Sequence, residues 1–157
     1  RNPACHLCPL RHGCAGLGRG IAPDRPRRSP RAVRPRRRGV VFVARRGDGA
    51  WLLEQRPASG LLGGMMGWPG SDWIAQDAPP PGADPPLDAD WRPAGGEVRH
   101  IFTHFHLTLA VRVADASATA QPARGAFVPA ADFRPADLPT VMRKCWELAR
   151  DALDGGR

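Results

Sequence analysis

At 157 residues and a formal net charge of +8, the chain is long enough for one domain with a real core plus a tail, and not for two independent enzymatic domains. No apolar run approaches the ~18 residues of a membrane span and no signal peptide is visible, so the expectation is a monomeric cytoplasmic protein that does not enter a membrane. Of four cysteines, three fall within the first fourteen residues; that is not a disulfide framework and fits a reducing compartment with a metal or cluster site.

The charge is unevenly spread. Residues 1–38 hold eleven Arg against one acid, Asp24, a net of +10, whereas residues 39–157 hold twelve Lys and Arg against fourteen acids, a net of −2. The single Lys, Lys144, against 22 Arg reads as codon bias, but bias does not explain missing acids. A block this basic points to a phosphate-rich partner, most simply nucleic acid.

In chain order, residues 1–20 open with RNPACHLCPLRHGC, which sets Cys5, Cys8 and Cys14 at C-x2-C-x5-C. Thiolates this close have the spacing of metal ligands, and such sites usually want four; zinc with His6 or His12 as a further ligand and an iron–sulfur cluster are both open on spacing alone. The chain begins with Arg, and the simplest expectation is that it starts inside a cofactor loop. Residues 21–38, rich in Pro and Arg, read as an extended linker. From Gly39 the composition changes: 39–46 and 50–56 predict two strands joined by a turn at Gly47-Asp48-Gly49. Five glycines in 60–70 argue for a strand with close backbone approaches. A short helix is admitted at 71–77, and 75–93, with six Pro and four Asp, reads as a disordered surface loop. Residues 97–113 predict strand, bend, strand; 114–124 a loop; 125–133 a short strand and turn. The last element is a helix from Pro139 to Leu153, capped by Thr140 or Asp137, with Val141, Cys145, Leu148 and Ala152 on its apolar face. Cys145 is expected in the core as a small hydrophobe. The sum is an α+β domain over 39–157.

Three stretches then acquire meaning together: C-x2-C-P-L-x4-C at the start, GLLGGMMGWPG followed by HIFTHFHL, and LPTVMRK at the head of the last helix. In their order and spacing they resemble the C-terminal half of MutY-type adenine DNA glycosylases, which remove adenine mispaired with 8-oxoguanine. The resemblance implies a Nudix-like (MutT-like) domain with a mixed β-sheet and packed helices, preceded by the remnant of a [4Fe–4S] loop and the basic linker. The family's loop reads C-x6-C-x2-C-x5-C, so the resemblance implies that Cys5, Cys8 and Cys14 match its last three ligands and that the first would fall just before Arg1. The family's catalytic Glu and Asp belong to a helical domain with no counterpart here, so no catalytic residue is assigned. The resemblance also implies that Phe102, Thr103 and His104 match a Phe-Ser/Thr-His pattern that senses 8-oxoguanine in duplex DNA. The residues alone allow a plainer reading, with Phe102 in the core and Thr103 and His104 as polar strand residues.

Two other classes compete. True Nudix hydrolases hold Mg2+ on a Glu-rich helix, but residues 71–96 contain no Glu and only five Asp (72, 77, 84, 88, 90), which argues against a nucleotide pyrophosphohydrolase. A zinc-containing nucleic-acid-binding module without an enzymatic parent is the third.

Overall fold

A computed structural model describes residues 3–27, 33–80 and 82–155. The chain divides into two compact units, Arg1–Val33 and Arg34–Arg157. The first is a run of tight turns: 3-10 turns at Cys5–Leu7, Arg11–Gly13 and Ala22–Asp24, and a single helical turn, α1 (Ala15–Gly18). Of the expected linker, 21–38, residues 28–32 lie outside the described residues; the rest departs from an extended linker, with Ala22–Asp24 in a 3-10 turn and Arg36–Arg38 opening the first strand of the second unit.

The second unit is a mixed sheet against one long helix. Its strands are β1 (Arg36–Arg46), β2 (Trp51–Gln55), β3 (Met66–Gly67), β4 (Ile74–Ala75), β5 (Arg92–Ile101), β6 (His106–Ala116) and β7 (Ala126–Val128), followed by α2 (Thr140–Asp154). The order is β3-β2-β1-β6-β5, with β4 on β1 and β7 on β2. β1 and β6 run parallel from Arg36↔His106 to Arg46↔Ala116, and β2 and β5 flank them antiparallel. The α+β architecture is the one expected.

Local chemistry explains the first hairpin. Asp48 accepts from the Ala50 N–H (3.1 Å) and from Arg46 Nε (3.0 Å), and Gly49 takes φ +86°, a backbone that other residues adopt at a cost. The hydrogen bond from Arg46, ahead of that from Ala50, pulls the Asp48 carboxyl down to about 2.

α2 covers one face of the sheet. Val41 and Val43 of β1, Leu107, Leu109, Val111 and Val113 of β6, and Val98 of β5 pack against Val141, Met142, Cys145, Ala149 and Leu153. The expected helical face is thus displaced: Leu148 and Ala152 are half-buried at its edge, and the buried row runs 141-145-149-153, the i±4 ridge that lies flat on a sheet. Neither expected cap forms. Pro139 occupies the N-cap position with no side-chain bond, and Asp137 belongs to a 3-10 turn, Pro135–Asp137.

Two further expectations change. In 60–70 only Met66–Gly67 is strand, after a turn at 61–64, but two glycines do serve close approach: a Cβ on Gly70 would collide with the Val40 carbonyl oxygen and one on Gly63 with that of Ala58 at 2.5 Å, whereas Gly67 lies at ordinary contact distance from Met142. Trp68, next to it, donates from Nε1 to the Met142 carbonyl at 2.8 Å. The segment 71–77 is not helical. Nor is the Pro-rich loop detached: Pro86 and Leu87 are buried, Leu87 joins a second apolar cluster with Ala44, Leu52 and Ala116, and Trp91 packs edge-on to Phe42 at 4.9 Å.

Cys145 is fully buried, and burial pushes its thiol from 9.0 up to about 12. A raised folded value means that its contribution to stability is complete below 9 and is lost as pH rises from there toward 12. Comparison with a Cys145→Ala variant isolates this thiol from the chain's three other Cys and one Lys. Denaturant midpoints measured from pH 8 to 11 should fall more for the parent than for Cys145→Ala; equal falls would contradict the burial assigned to this thiol.

Candidate nucleic-acid interface

The site expected at Phe102, Thr103 and His104 is the tip of the β5–β6 hairpin. The Phe102 N–H donates to the Phe105 carbonyl at 2.9 Å, which closes a four-residue turn. Phe105 is buried, Phe102 half-buried, and Thr103 and His104 are exposed.

Beneath the tip lies a layered aromatic base. The Phe102 ring stacks on Phe105 (4.8 Å between centroids, 29° between planes), Trp73 lies 5.9 Å from Phe102, and His100 meets the Phe102 ring edge-on at 4.6 Å. Two cations close the stack: the Arg37 guanidinium sits 4.6 Å from the Phe105 centroid, and that of Arg56 sits 4.6 Å from Trp73. Contacts of these kinds are worth roughly 0.5–1.5 kcal/mol per aromatic pair and ~0.5–1 kcal/mol per exposed cation–π contact. Phe102 therefore anchors the hairpin, and the outward polar groups belong to Thr103 and His104.

Trp73 reaches this position because β1 carries Gly39. A Cβ there would meet Trp73 Cδ1 at 2.8 Å and Leu109 Cδ2 at 3.2 Å, so only a bare backbone lets the indole lie on the strand. Sequence reasoning took Gly39 as a boundary and did not single out Trp73, Phe105, Arg37 or Arg56. The aromatic spacing in FTHF was the one signal available for them.

His100 and His106 fall on either side of the hairpin. His100 is half-buried and held below its ordinary value, first by burial and then by the charge of Lys144, so it is neutral at pH 7. His106 is exposed. On α2, Lys144 Nζ donates to the Arg99 carbonyl at 3.4 Å.

The N-terminal cysteines are free thiols: Cys5 and Cys8 half-buried, Cys14 exposed. Backbone bonds from Cys8 to Cys5 (3.2 Å) and from Cys14 to Arg11 (3.4 Å) make each cysteine the end of a tight turn. Among the described residues no three His, Cys, Asp or Glu side chains are grouped so as to hold a metal. The thiolates are the right chemistry for iron or zinc, but they are not gathered as a ligand set. Nor, among the described residues, do carboxylates converge to hold Mg2+. Where a hydrolase needs a carboxylate helix, residues 71–80 and 82–91 form β4, turns and bends, and Glu54 is engaged by Arg124 at 3.1 Å.

A mixed sheet with one covering helix and a projecting β5–β6 tip defines a domain of the MutT type. The chain belongs to the NUDIX domain family, whose family model matches residues 40–148. Among solved structures it is similar to the C-terminal domain of mouse MUTYH in its complex with human PCNA, at 22% identity over 75% of this chain and 90% of that one, TM-score 0.53. It is equally similar in fold to the MutT protein from Methanosarcina mazei Go1, at 15% identity over 81% and 100%, TM-score 0.53. The E. coli ORF135 protein matches at 19% identity over 82% and 98%, TM-score 0.51. No helix among the described residues is long and apolar enough to cross a membrane.

If Gly39 is what seats Trp73, Gly39→Val should cost about 1–3 kcal/mol through overpacking and speed amide exchange at residues 102–105. An unchanged exchange rate at the tip would separate Trp73 from the hairpin's rigidity.

Proposed function

We propose that this domain is the lesion-recognition part of an adenine DNA glycosylase of the MutY type, which binds duplex DNA and reads 8-oxoguanine opposite adenine. The observation that carries the reading is the exposed Thr103–His104 pair held on a rigid aromatic base. Oxidation turns guanine N7 from an acceptor into an N–H donor and adds an oxygen acceptor at C8. The Thr103 hydroxyl can accept from that N–H, and His104 can donate to an oxygen or a phosphate. Rigid support matters because a hydrogen-bonding reader discriminates only when its groups cannot relax onto the wrong base. The parent reaction would be extrusion of adenine and hydrolysis of its N-glycosidic bond; nothing in this chain is assigned to that chemistry.

The second reading, a Nudix nucleotide hydrolase, is favoured by the equal likeness to the MutT protein. It is disfavoured by the absence of Glu from 71–96 and of any metal-holding group among the described residues. An assay of Mg2+-dependent nucleotide hydrolysis separates the two.

Binding to matched duplexes with 8-oxoguanine or guanine opposite adenine tests the reader. The parent should prefer the oxidised base, and Thr103→Ala with His104→Ala should erase most of that preference, about 1–3 kcal/mol if both bonds are lost, while affinity for the plain duplex holds. Equal losses on both duplexes would reduce the tip to a backbone contact.

Cys5, Cys8 and Cys14 are proposed as three ligands of a [4Fe–4S] cluster, on the strength of their thiolate chemistry and spacing. Such a cluster would stiffen the N-terminal turns. Protein purified without oxygen should contain iron and acid-labile sulfide in near-equal amounts, lost together in the triple Cys→Ser variant. Zinc without sulfide would select the zinc-module reading instead.

A further inference from the structure

One face of the sheet is covered by α2; on the other, Leu87 and Trp91 cover Phe42, Ala44 and Ala116, and the first halves of β1 and β6 with the end of β5 stay open. Side chains alternate along a strand, so the register sorts them. Arg36 pairs with His106, which pairs with Ile101; Arg38 pairs with Thr108, which pairs with Arg99; Val40 pairs with Ala110, which pairs with Glu97. These rows share the open face and lie exposed or half-exposed. They line a groove of about 890 Å3, with Lys144 at the β5 edge and Gln76 and Pro80 at its rim.

The groove is electrically one-sided. Arg36, Arg38, Arg99 and Lys144 face one acid, Glu97, which lies 4.0 Å from Arg99 with both side chains exposed. Contrast the far end of β1: Arg45 is paired with Asp115 and Asp154, and Arg46 with Asp48. Among the described residues Arg36, Arg38 and Lys144 have no carboxylate within ion-pair distance. Arg38 donates from Nη2 to the Ala78 carbonyl while its Nε is buried without a partner, so the guanidinium is held in place but not neutralised. Unpaired cations brought close together repel one another, and an anion that bridges them relieves that cost.

We propose that this open face of β1, β6 and β5 is a phosphate-backbone groove that grips duplex DNA beside the base met by the hairpin tip. Charge complementarity selects the occupant, and continuity supports it. Ile101 and His106, which end the groove, flank the Phe102–Phe105 tip, so a strand lying in the groove would run directly to Thr103 and His104. Thr108 adds a neutral hydroxyl donor. The groove adds to the proposed function a sequence-independent contact, whose signature is a salt dependence and not a base preference.

The test uses the whole chain and two exposed groove cations. Arg36→Ala with Arg99→Ala should weaken binding to plain and 8-oxoguanine duplexes alike, at least about tenfold at low salt, and lower the slope of log K against log salt by about 2. The ratio between the two duplexes should hold. Arg134→Ala with Arg150→Ala, exposed cations away from the groove, serve as the control. A double variant with the parent's slope, or one no weaker than the control, overturns the groove. So does a change in the duplex ratio at constant slope, which would place Arg36 or Arg99 in base reading. Because the slope is read on plain duplex, it stands even if the parent shows no preference for 8-oxoguanine, an outcome that would overturn the lesion reader alone. Circular dichroism and melting of each variant separate lost contact from lost fold.

Discussion

The parallel pairing of β1 with β6 over eleven residues is the constraint from which the rest of the domain follows. Parallel strands cannot be joined by a tight turn, so everything from β2 to β5 is routed between them. The register also fixes what meets at each end. Arg36 opposite His106 puts the start of β1 beside the β5–β6 turn, and the last basic residues of the arginine-rich stretch therefore lie next to the hairpin tip. Shifting the register by one residue would exchange the two faces, turning Val41 and Val43 outward and the arginines into the core.

The same alternation divides β1 functionally. Arg37 turns to the α2 side and lies on Phe105, while Arg36 and Arg38 turn to the open side. Three consecutive arginines thus do two jobs: one stabilises the aromatic base of the hairpin, and two bring charge to the groove, Arg36 exposed and Arg38 half-buried. Gly39 follows immediately, where the indole of Trp73 needs bare backbone. Four adjacent residues of one strand hence determine both the rigidity of the tip and the potential beside it.

The strands around Gly47–Gly49, the 97–113 hairpin and the closing helix were legible because their apolar periodicities are strong and their turns carry glycine or a local polar bond. The start of β1 was not. Arg36–Arg38 look like linker when composition is averaged, and their strand character comes from pairing with His106–Thr108 on one side and Ile74–Ala75 on the other, both long-range facts. The 75–93 loop misled for a related reason. Its prolines and aspartates mask Leu87 and Trp91, which cap the outer face of β1 and β2, and two large apolar side chains are enough to tie a loop down. The helix cap failed because the N-cap position falls on Pro139, whose ring carries no side-chain oxygen, and Thr140 is already inside the helix. Within the site, the exposed pair was visible as residues, whereas its support depended on Trp73, which lies far from Phe102 in sequence.

A Nudix fold without convergent carboxylates need not be a damaged hydrolase. Hydrolysis of a phosphoanhydride requires a metal held by several oxygens, to neutralise charge that develops in the transition state. Recognition asks for less: fixed donors and acceptors at one point, and unneutralised cations along the approach to it. Replacing a Glu-bearing helix by a Pro- and Asp-rich loop removes the first capacity. The same loop covers only part of its face of the sheet, through Leu87 and Trp91, and leaves the Arg36–Val40 end of β1 open beside β6 and β5. The register of β1 decides that this open surface is basic, because it turns Arg36 and Arg38 onto it and Val41 and Val43 toward α2.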